Sequence, residues 1–341
     1  MKRVARLVRR VGRRLRTLTP PSKPPARPGV PLSLVQAPSG PVRDVWCAPA
    51  LGLVLGDDGR VFDGPAREAL RFTPDLARAP NVRRQDGVTL FSPPLDAPFI
   101  ARAAVFAGWS GLHNYAHFLL ASLPALLAVR KDAAAALAPP LAAWQVDLLA
   151  LAGEPAPVVV DAPLVRLGEA VLPPAGAFPD RLDPSVLEVR ARVLAAVEPA
   201  QARRIYVSRR DSLKGVMADE VWVEEALAAR GFMIVRPETV SARDLIGLFS
   251  GAEVVVAPSG TALANVLFCA AGARVIEIRP PEASDTWTRD LAGLVGADWR
   301  GFDAAGPRET VEVPLEPRLR PASAFAWRAG EAFLAFLDEV L

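Results

Sequence analysis

The stretch "AEVVVAPSGTALANVLFCAAGARVIEIRP", residues 252–280, decides the fold. It contains two runs rich in Val and Ile, "AEVVVAPSG" at 252–260 and "ARVIEIRP" at 273–280, that are nearly continuously apolar rather than alternating. Such runs are typical of strands in a parallel sheet covered on both faces. The apolar residues between them predict a helix over 261–271. The stretch therefore reads as a strand–helix–strand unit.

The same alternation continues on both sides of this unit. Further strands are predicted at 203–210 and 231–237, and further helices at 219–230, 241–250 and 285–295. Strands that alternate with helices in this way indicate a Rossmann-like doubly wound domain. We place this domain at residues 199–321.

The preceding region, residues 42–198, mixes short strand-like pieces with a helix predicted over 113–130 and reads as a second α/β domain. The sequence thus predicts two Rossmann-like domains with a cleft between them. A final helix, within residues 322–341, is expected to pack back against the first domain.

Basic charge is concentrated at the start of the chain. Residues 1–23 hold nine of the 40 Lys and Arg and none of the 37 Asp and Glu, so the remainder is acidic by six charges. This argues against a nucleic-acid-binding body. Residues 1–18 have the spacing of a basic amphipathic helix that would lie on an anionic membrane surface. A solvated, disordered tail is the alternative, and proline-dense residues 19–41 read as a linker.

Several classes of protein are excluded by missing motifs. The sequence has no GxGxxG, no GxxxxGK[ST] and no GxSxG motif, so we expect no nicotinamide cofactor, no P-loop and no nucleophile elbow. Cys47 and Cys269 lie far apart without a CxxC motif and predict neither a disulfide framework nor a zinc site. No apolar run is long enough to predict a membrane-spanning helix.

Strand ends carry the candidate binding residues, because ligands of open parallel sheets bind beyond the carboxyl ends of the strands. "PSGTA" runs from a strand directly into a helix, and free backbone amides there favour an anion. Basic side chains follow another strand and would neutralise a diphosphate. The alternative is a simple helix cap beside a solvated basic edge. The residues of this predicted site are Ser259, Gly260, Thr261, Arg209, Arg210 and Lys214.

Glu277 is a charged residue within an apolar strand and needs a partner or an exposed strand end. We expect it to meet a ribose hydroxyl. A salt bridge to a nearby arginine is an equally supported alternative.

His113 and His117 are the two histidines of the chain and stand four positions apart in "HNYAH". On one continuous helix they would share a face. A zinc-protease motif is excluded because Asn114 follows the first histidine, and no third ligand is apparent. An imidazole titrates near neutral pH, so His117 is the candidate general base. The alternative is a capping or core histidine.

Four blocks of the sequence carry a family resemblance: "HNYAHFLLASLPALL", "RRIYVSRRDSLKG", "DLIGLFSGAEVVVAPSGTALANVLF" and "ARVIEIRPP". In this order they resemble glycosyltransferase family 61, whose bacterial members are described as capsular polysaccharide biosynthesis proteins. The resemblance covers about residues 100–285. It implies a GT-B architecture and metal-independent, inverting transfer of a sugar from a nucleotide donor.

The resemblance also implies roles for single residues. It matches the family's Asn-Tyr-x-His block, its Ser-Arg strand end, and its late Asn and strand Glu. The corresponding residues are Asn114, Tyr115 and His117, then Ser208 and Arg209, then Asn265 and Glu277. The chain departs from the family at Ser259, where a histidine is usual, and at Ala121, Ala125, Met217 and Ala218.

From these observations we expect a glycosyltransferase of bacterial surface-polysaccharide synthesis, cytoplasmic and peripheral on the inner face of the cell membrane. His117 is the expected base, and Asn265 and Glu277 are expected to hold the nucleoside. His113, Asn114 and Tyr115 would lie on the side of the glycan or lipid-linked acceptor. Two alternatives stay open: a pyruvyl-type transferase on the same architecture, and a non-catalytic scaffold of a synthesis complex.

Overall fold

The computed structural model describes residues 29–64, 79–130, 135–174, 178–210, 216–306, 309–312 and 323–341. The predicted membrane-binding helix at residues 1–18 lies outside the described residues, as do residues 19–28 of the predicted linker and Lys214.

Nineteen strands and a set of mostly short helices make up the described part of the chain. The strands are β1 (Val30–Pro31), β2 (Ser33–Gln36), β3 (Val42–Ala48), β4 (Leu53–Gly56), β5 (Arg60–Asp63), β6 (Val82–Gln85), β7 (Val88–Phe91), β8 (Phe99–Val105), β9 (Ala136–Ala138), β10 (Val158–Val159), β11 (Val165–Val171), β12 (Arg204–Val207), β13 (Val216–Met217), β14 (Met233–Val235), β15 (Val254–Pro258), β16 (Arg274–Arg279), β17 (Asp298–Asp303), β18 (Glu309–Glu312) and β19 (Ser323–Trp327). The α-helices are Trp109–His113, Tyr115–His117, Leu123–Arg130, Ala143–Leu151, Val186–Leu194, Glu220–Ala228, Ala242–Gly251, Trp287–Val295 and Gly330–Val340. Phe118–Ser122 is π-helical, and Pro49–Leu51, Pro237–Thr239 and Thr261–Phe268 are 3₁₀-helical.

The C-terminal half is built on a five-stranded sheet with the order β14-β12-β15-β16-β17. Every neighbouring pair is parallel, which confirms the prediction from residues 252–280. In chain order the five strands run 2-1-3-4-5, so the direction of winding reverses between β12 and β15. Alternate residues of these strands enter two different buried clusters, because helices cover both faces of the sheet.

The N-terminal half contains an eight-stranded mixed sheet with the order β10-β9-β8-β11-β3-β4-β5-β2. Its β8, β9, β10 and β11 pair in parallel, but β3 is antiparallel to both β11 and β4, and β4 is antiparallel to β5. The sequence predicted a second Rossmann-like sheet here. Connections of three and four residues between β3, β4 and β5 are too short for a crossover, so these strands pair antiparallel.

One buried cluster joins the two halves. Helices Leu123–Arg130 and Ala143–Leu151 pack on helix Val186–Leu194, which precedes the expected boundary. Helix Ala143–Leu151 also packs on helix Ala242–Gly251, which follows it. The cluster continues into strands β12 and β15. The two sheets therefore share a helical layer, and the expected boundary near residue 198 lies within a segment that contributes to this common core.

The C-terminal helix is shorter than predicted and packs elsewhere. Residues 323–327 form β19, and the helix spans Gly330–Val340. Phe333 and Leu337 are fully buried in the cluster that contains Tyr206 and Ile276 of the C-terminal sheet. The expectation that this helix packs back on the first domain is therefore wrong, because its apolar face matches a bare face of the C-terminal sheet.

Both cysteines are buried and free. Burial raises the pKa of the Cys47 thiol to about 12, as expected for a side chain that packs as a small hydrophobe. Among the described residues, none of the helices combines the length and the apolar character needed to cross a bilayer.

Candidate functional site

The candidate site lies at the carboxyl ends of β12, β15 and β16, next to the point where the winding reverses. Ser208 and Arg209 follow β12, and Ser259 and Gly260 follow β15. Glu277 lies within β16, paired with Ala257 of β15. A parallel sheet brings these strand ends to one edge, so the predicted donor residues converge without being neighbours in sequence.

A cavity of about 320 Å³ opens at this edge. Its walls come from both halves of the chain: Asn114 and His117 face Arg209 and the Ser259–Thr261 corner. Aromatic side chains close the remaining sides. The lining includes Asn114, His117, Phe178, Arg209, Ser259, Gly260, Thr261, Glu277, Trp287 and Trp327.

Arg209 crosses from the end of β12 to the end of β15. Its guanidinium donates a hydrogen bond to the backbone carbonyl of Ser259. Gly260 allows this approach: a Cβ there would overlap Nη1 of Arg209 and lie 3.3 Å from its Cζ. Burial lowers the pKa of Arg209, while the charges of Glu220 and Glu238 oppose that shift. A partly desolvated guanidinium so placed is suited to an anionic ligand.

Ser259 and Glu277 form a hydrogen-bonded pair on the wall of the cavity. The Ser259 hydroxyl donates to Oε1 of Glu277 at 2.6 Å, and the Trp299 indole N–H donates to Oε2 at 3.0 Å. Burial raises the pKa of Glu277, which is only 3% exposed. The salt-bridge alternative is not what forms: Arg279, two residues on, lies 3.4 Å from Asp303.

The predicted row of free amides at "PSGTA" needs one correction. The Ser259 N–H donates to the Ile278 carbonyl at 2.9 Å, as part of the sheet. This amide belongs to the hydrogen-bond ladder between β15 and β16, so it is not available to an anion. Gly260 and Thr261, at the start of the 3₁₀ helix, line the cavity.

The helix predicted over 113–130 is broken at Asn114. This residue has extended backbone angles, φ −137° and ψ 124°, and its side chain caps the next helix by accepting from the His117 N–H at 3.2 Å. The expected shared face of the two histidines is therefore wrong. His113 ends one helix and His117 lies in the first turn of another.

His117 lines the smaller cavity, half-buried, with its ring edge-on to Phe178 at 4.9 Å between centroids. Phe178 in turn meets Trp287 edge-on at 5.9 Å. The imidazole and the Arg209 side chain thus line the same cavity, and Phe178 packs against the imidazole. An imidazole in such a place is suited to accept a proton.

A second cavity of about 740 Å³ adjoins the first. Asn114, Arg209, Gly260 and Thr261 line both cavities and form the partition between them. The larger cavity also takes in His113, Tyr115, Trp144, Asp147, Ser208 and Glu238. The three residues predicted on the acceptor side, His113, Asn114 and Tyr115, therefore share one cavity.

Asn265 lies behind the wall rather than on it. It is 0% exposed, accepts a hydrogen bond from the Tyr115 hydroxyl at 2.8 Å and donates to the Ala262 carbonyl at 3.0 Å. Burial raises the pKa of Tyr115 well above its ordinary value. The predicted direct contact between Asn265 and a nucleoside does not fit this placement. Asn265 instead links Tyr115, which lines the larger cavity, to the 3₁₀ helix Thr261–Phe268.

Arg210 turns away from both cavities. Its Nη1 lies 3.0 Å from Oε2 of Glu224, and the Ser208 hydroxyl donates to Oε1 of the same glutamate at 2.7 Å. Successive residues leaving a strand point in opposite directions, which is why the two arginines part. The prediction that Arg210 binds the donor directly is therefore wrong, because its side chain pairs with Glu224 instead. Lys214 lies outside the described residues.

Sequence reasoning missed the aromatic and acidic lining. Phe178 and Trp287 precede or begin helices and carry no motif. Trp144 and Asp147, three apart on helix Ala143–Leu151, share a face that a helical projection would have indicated. Within the described residues, no group of three or more His, Cys, Asp or Glu could hold a metal ion.

A comparison with known protein families found a match over part of the chain. Residues 115–276 match the family model described as Glycosyltransferase 61. The matched range contains His117, Arg209 and the Ser259–Thr261 corner, and it ends one residue before Glu277. No curated protein matches the chain.

Proposed function

We propose that this chain, a glycosyltransferase by the match over residues 115–276, moves a sugar from a nucleotide-diphosphate donor to a polysaccharide or lipid-linked acceptor. The transfer is a single displacement with inversion that needs no metal ion. We place it in bacterial surface-polysaccharide synthesis, on the inner face of the cell membrane, with residues 1–18 as the contact to anionic lipid.

One observation carries the proposal. A candidate base, His117, and a buried guanidinium, Arg209, line the same cavity from opposite halves of the chain. Sugar transfer requires both groups, because a proton must leave the acceptor while negative charge grows on the departing diphosphate.

The diphosphate of the donor lies at the partition between the cavities. Arg209 supplies positive charge there, and Gly260 and Thr261 bring the backbone close without a bulky side chain. Hydrogen-bond donors that already point to where negative charge develops account for the largest part of many enzymes' rate enhancement. Glu277 and Trp287 on the same wall are the groups for a ribose hydroxyl and an aromatic base.

The acceptor enters from the larger cavity, where His113, Asn114 and Tyr115 lie. Its hydroxyl loses a proton to the His117 imidazole as its oxygen bonds to the anomeric carbon. The bond from that carbon to the phosphate oxygen breaks at the same time, and the nucleoside diphosphate leaves with the electron pair. We place the base and the leaving group on opposite sides of the anomeric carbon, as inversion requires.

We retain the GT-B architecture as part of the proposal. The C-terminal sheet, with its winding reversal at the site, supports it, and so does the parallel part of the N-terminal sheet formed by β8 to β11. Both halves contribute to the cavity, as two lobes around a cleft would.

Arg209→Ala tests the proposal. Release of nucleoside diphosphate from UDP-, GDP-, CDP-, dTDP- and ADP-sugars is measured for the wild type and the variant. The variant is expected to lose turnover by about 10²–10³-fold, the usual effect of removing one donor to a developing anion. Circular dichroism controls for folding. Unchanged turnover in a folded Arg209→Ala protein would remove the diphosphate clamp and the proposal with it.

A further inference from the structure

Two acidic side chains are buried beneath the loop that carries Arg209. Glu220 and Glu224 stand four residues apart on helix Glu220–Ala228 and are 3% and 7% exposed. At this spacing they share one face of the helix. A buried carboxylate is costly unless polar groups surround it, so the partners of this pair are informative.

Glu220 holds the backbone of Arg209. Its Oε1 accepts the Arg209 N–H, and the Tyr206 hydroxyl donates to the same oxygen at 3.1 Å. The bond is to the backbone, while the guanidinium itself reaches across to the Ser259 carbonyl. Glu220 thus fixes the backbone of Arg209, and the Ser259 carbonyl at the end of β15 fixes its guanidinium.

Glu224 holds the residues on either side. Its Oε1 accepts from the Ser208 hydroxyl at 2.7 Å, and its Oε2 pairs with Arg210 at 3.0 Å. Three consecutive residues leaving β12 are therefore tied to two acids on one helix. Arg209 lines both cavities, Ser208 lines only the larger one, and Arg210 lines neither.

We propose that Glu220 is a positioning residue that fixes the Arg209 backbone so that the guanidinium meets the donor diphosphate, with Glu224 holding Ser208 and Arg210 in support. The inference rests on the proposed function of Arg209. The negative charge of Glu220 also opposes the lowering of the Arg209 pKa by burial. If Glu220 acts on the donor, it does so through Arg209.

A double-mutant cycle between Glu220→Ala and Arg209→Ala tests this dependence. UDP, GDP, CDP, dTDP and ADP are titrated calorimetrically, and the best binder is followed through the cycle. Glu220→Ala is expected to weaken that nucleotide about tenfold in the wild-type background, roughly the effect of one charge-assisted contact. In the Arg209→Ala background the same change is expected to weaken it less than twofold.

Glu154→Ala is the matched control. Its side chain is also buried, at 6% exposure, and it pairs with Arg130 and Arg192 remote from both cavities. It is expected to lower the melting temperature without changing nucleotide affinity. If Glu220→Ala fails to fold, Glu220→Gln takes its place, because it keeps an oxygen acceptor and removes only the charge. Glu220→Gln is expected to weaken nucleotide binding less than Glu220→Ala would, and this loss of affinity must disappear in the Arg209→Ala background.

The outcomes separate two failures. A loss of affinity from Glu220→Ala that persists in the Arg209→Ala background, or one no larger than that of Glu154→Ala, overturns the positioning role alone. Full nucleotide affinity in Arg209→Ala itself overturns the proposed donor site, and the positioning role falls with it.

Discussion

Gly260→Ala adds one carbon atom, and we expect it to lower turnover without unfolding the protein. The backbone of Gly260 is extended, with φ 172° and ψ 170°, which alanine adopts readily. The added Cβ, however, would overlap Nη1 of Arg209 and lie 3.3 Å from its Cζ. The flexible end of Arg209 must therefore move, and the backbone need not.

The expected effects on turnover and stability differ in size. Displacing Arg209 removes its contact with the departing diphosphate, which costs about 3–4 kcal/mol of transition-state stabilisation, or roughly 10²–10³-fold in turnover. Stability loses at most the hydrogen bond from Arg209 to the Ser259 carbonyl, about 0.5–1.5 kcal/mol.

The assay is release of nucleoside diphosphate from a nucleotide-sugar, with thermal melting in parallel. Gly293→Ala is the matched control, because a Cβ at Gly293 would meet nothing within 4 Å; it should leave turnover unchanged. In an Arg209→Ala background, Gly260→Ala should add no further loss. Wild-type turnover in Gly260→Ala, or an added loss in that background, would refute the steric argument.

Three further predictions concern the base, the buried amide and the buried acid. His117→Ala should lower kcat by about 10²–10⁴-fold while leaving nucleotide affinity within twofold; weaker nucleotide binding at unchanged kcat in a kinetic titration would contradict its role as base. Asn265→Ala should destabilise the fold by about 1–3 kcal/mol by leaving the Tyr115 hydroxyl unpaired, and adding Tyr115→Phe should recover part of this in denaturant melts, whereas a further loss would argue against that bond. Burial raises the folded-state pKa of Glu277 above its ordinary value of 4.5. Its contribution to stability is therefore present below pH 4.5 and is lost as pH rises through the folded pKa. Glu277→Gln should abolish this loss of stability, so stability curves against pH that run parallel for the two proteins would contradict the raised pKa.

Four of the five strands of the C-terminal parallel sheet were predictable, because β12, β14, β15 and β16 are short apolar runs. The fifth strand, β17, has the sequence DWRGFD, which lacks such a run, and it was not predicted. The same pattern placed Arg209, Ser259 and Glu277 at the ends or insides of neighbouring strands. Their convergence then followed from the geometry of parallel sheets alone.

The path of single side chains was not predictable. Arg209 and Arg210 are the same residue type in adjacent positions, and the sequence does not show which of the two pairs with the buried Glu224. The helix break at Asn114 also escaped the pattern, because the apolar spacing continues across it. Asn114 reveals the break only through its capping bond to His117.

The N-terminal sheet and the final helix show how tertiary contacts override local patterns. Mixed pairing followed from connections too short for a crossover, a feature that strand boundaries alone would have revealed. The helix Gly330–Val340 packs where an apolar face of the C-terminal sheet is open to it, a contact between residues more than fifty positions apart that no local pattern encodes.

Nucleotide binding to the wild type and to Arg209→Ala tests the central claim most directly. In a thermal-shift series with UDP, GDP, CDP, dTDP, ADP and phosphoenolpyruvate, one nucleoside diphosphate should stabilise the wild type by about 2.7 kcal/mol at 100 times its Kd. That stabilisation should largely disappear in Arg209→Ala. Stabilisation by phosphoenolpyruvate instead of a nucleotide, or equal nucleotide stabilisation of both proteins, would contradict the account.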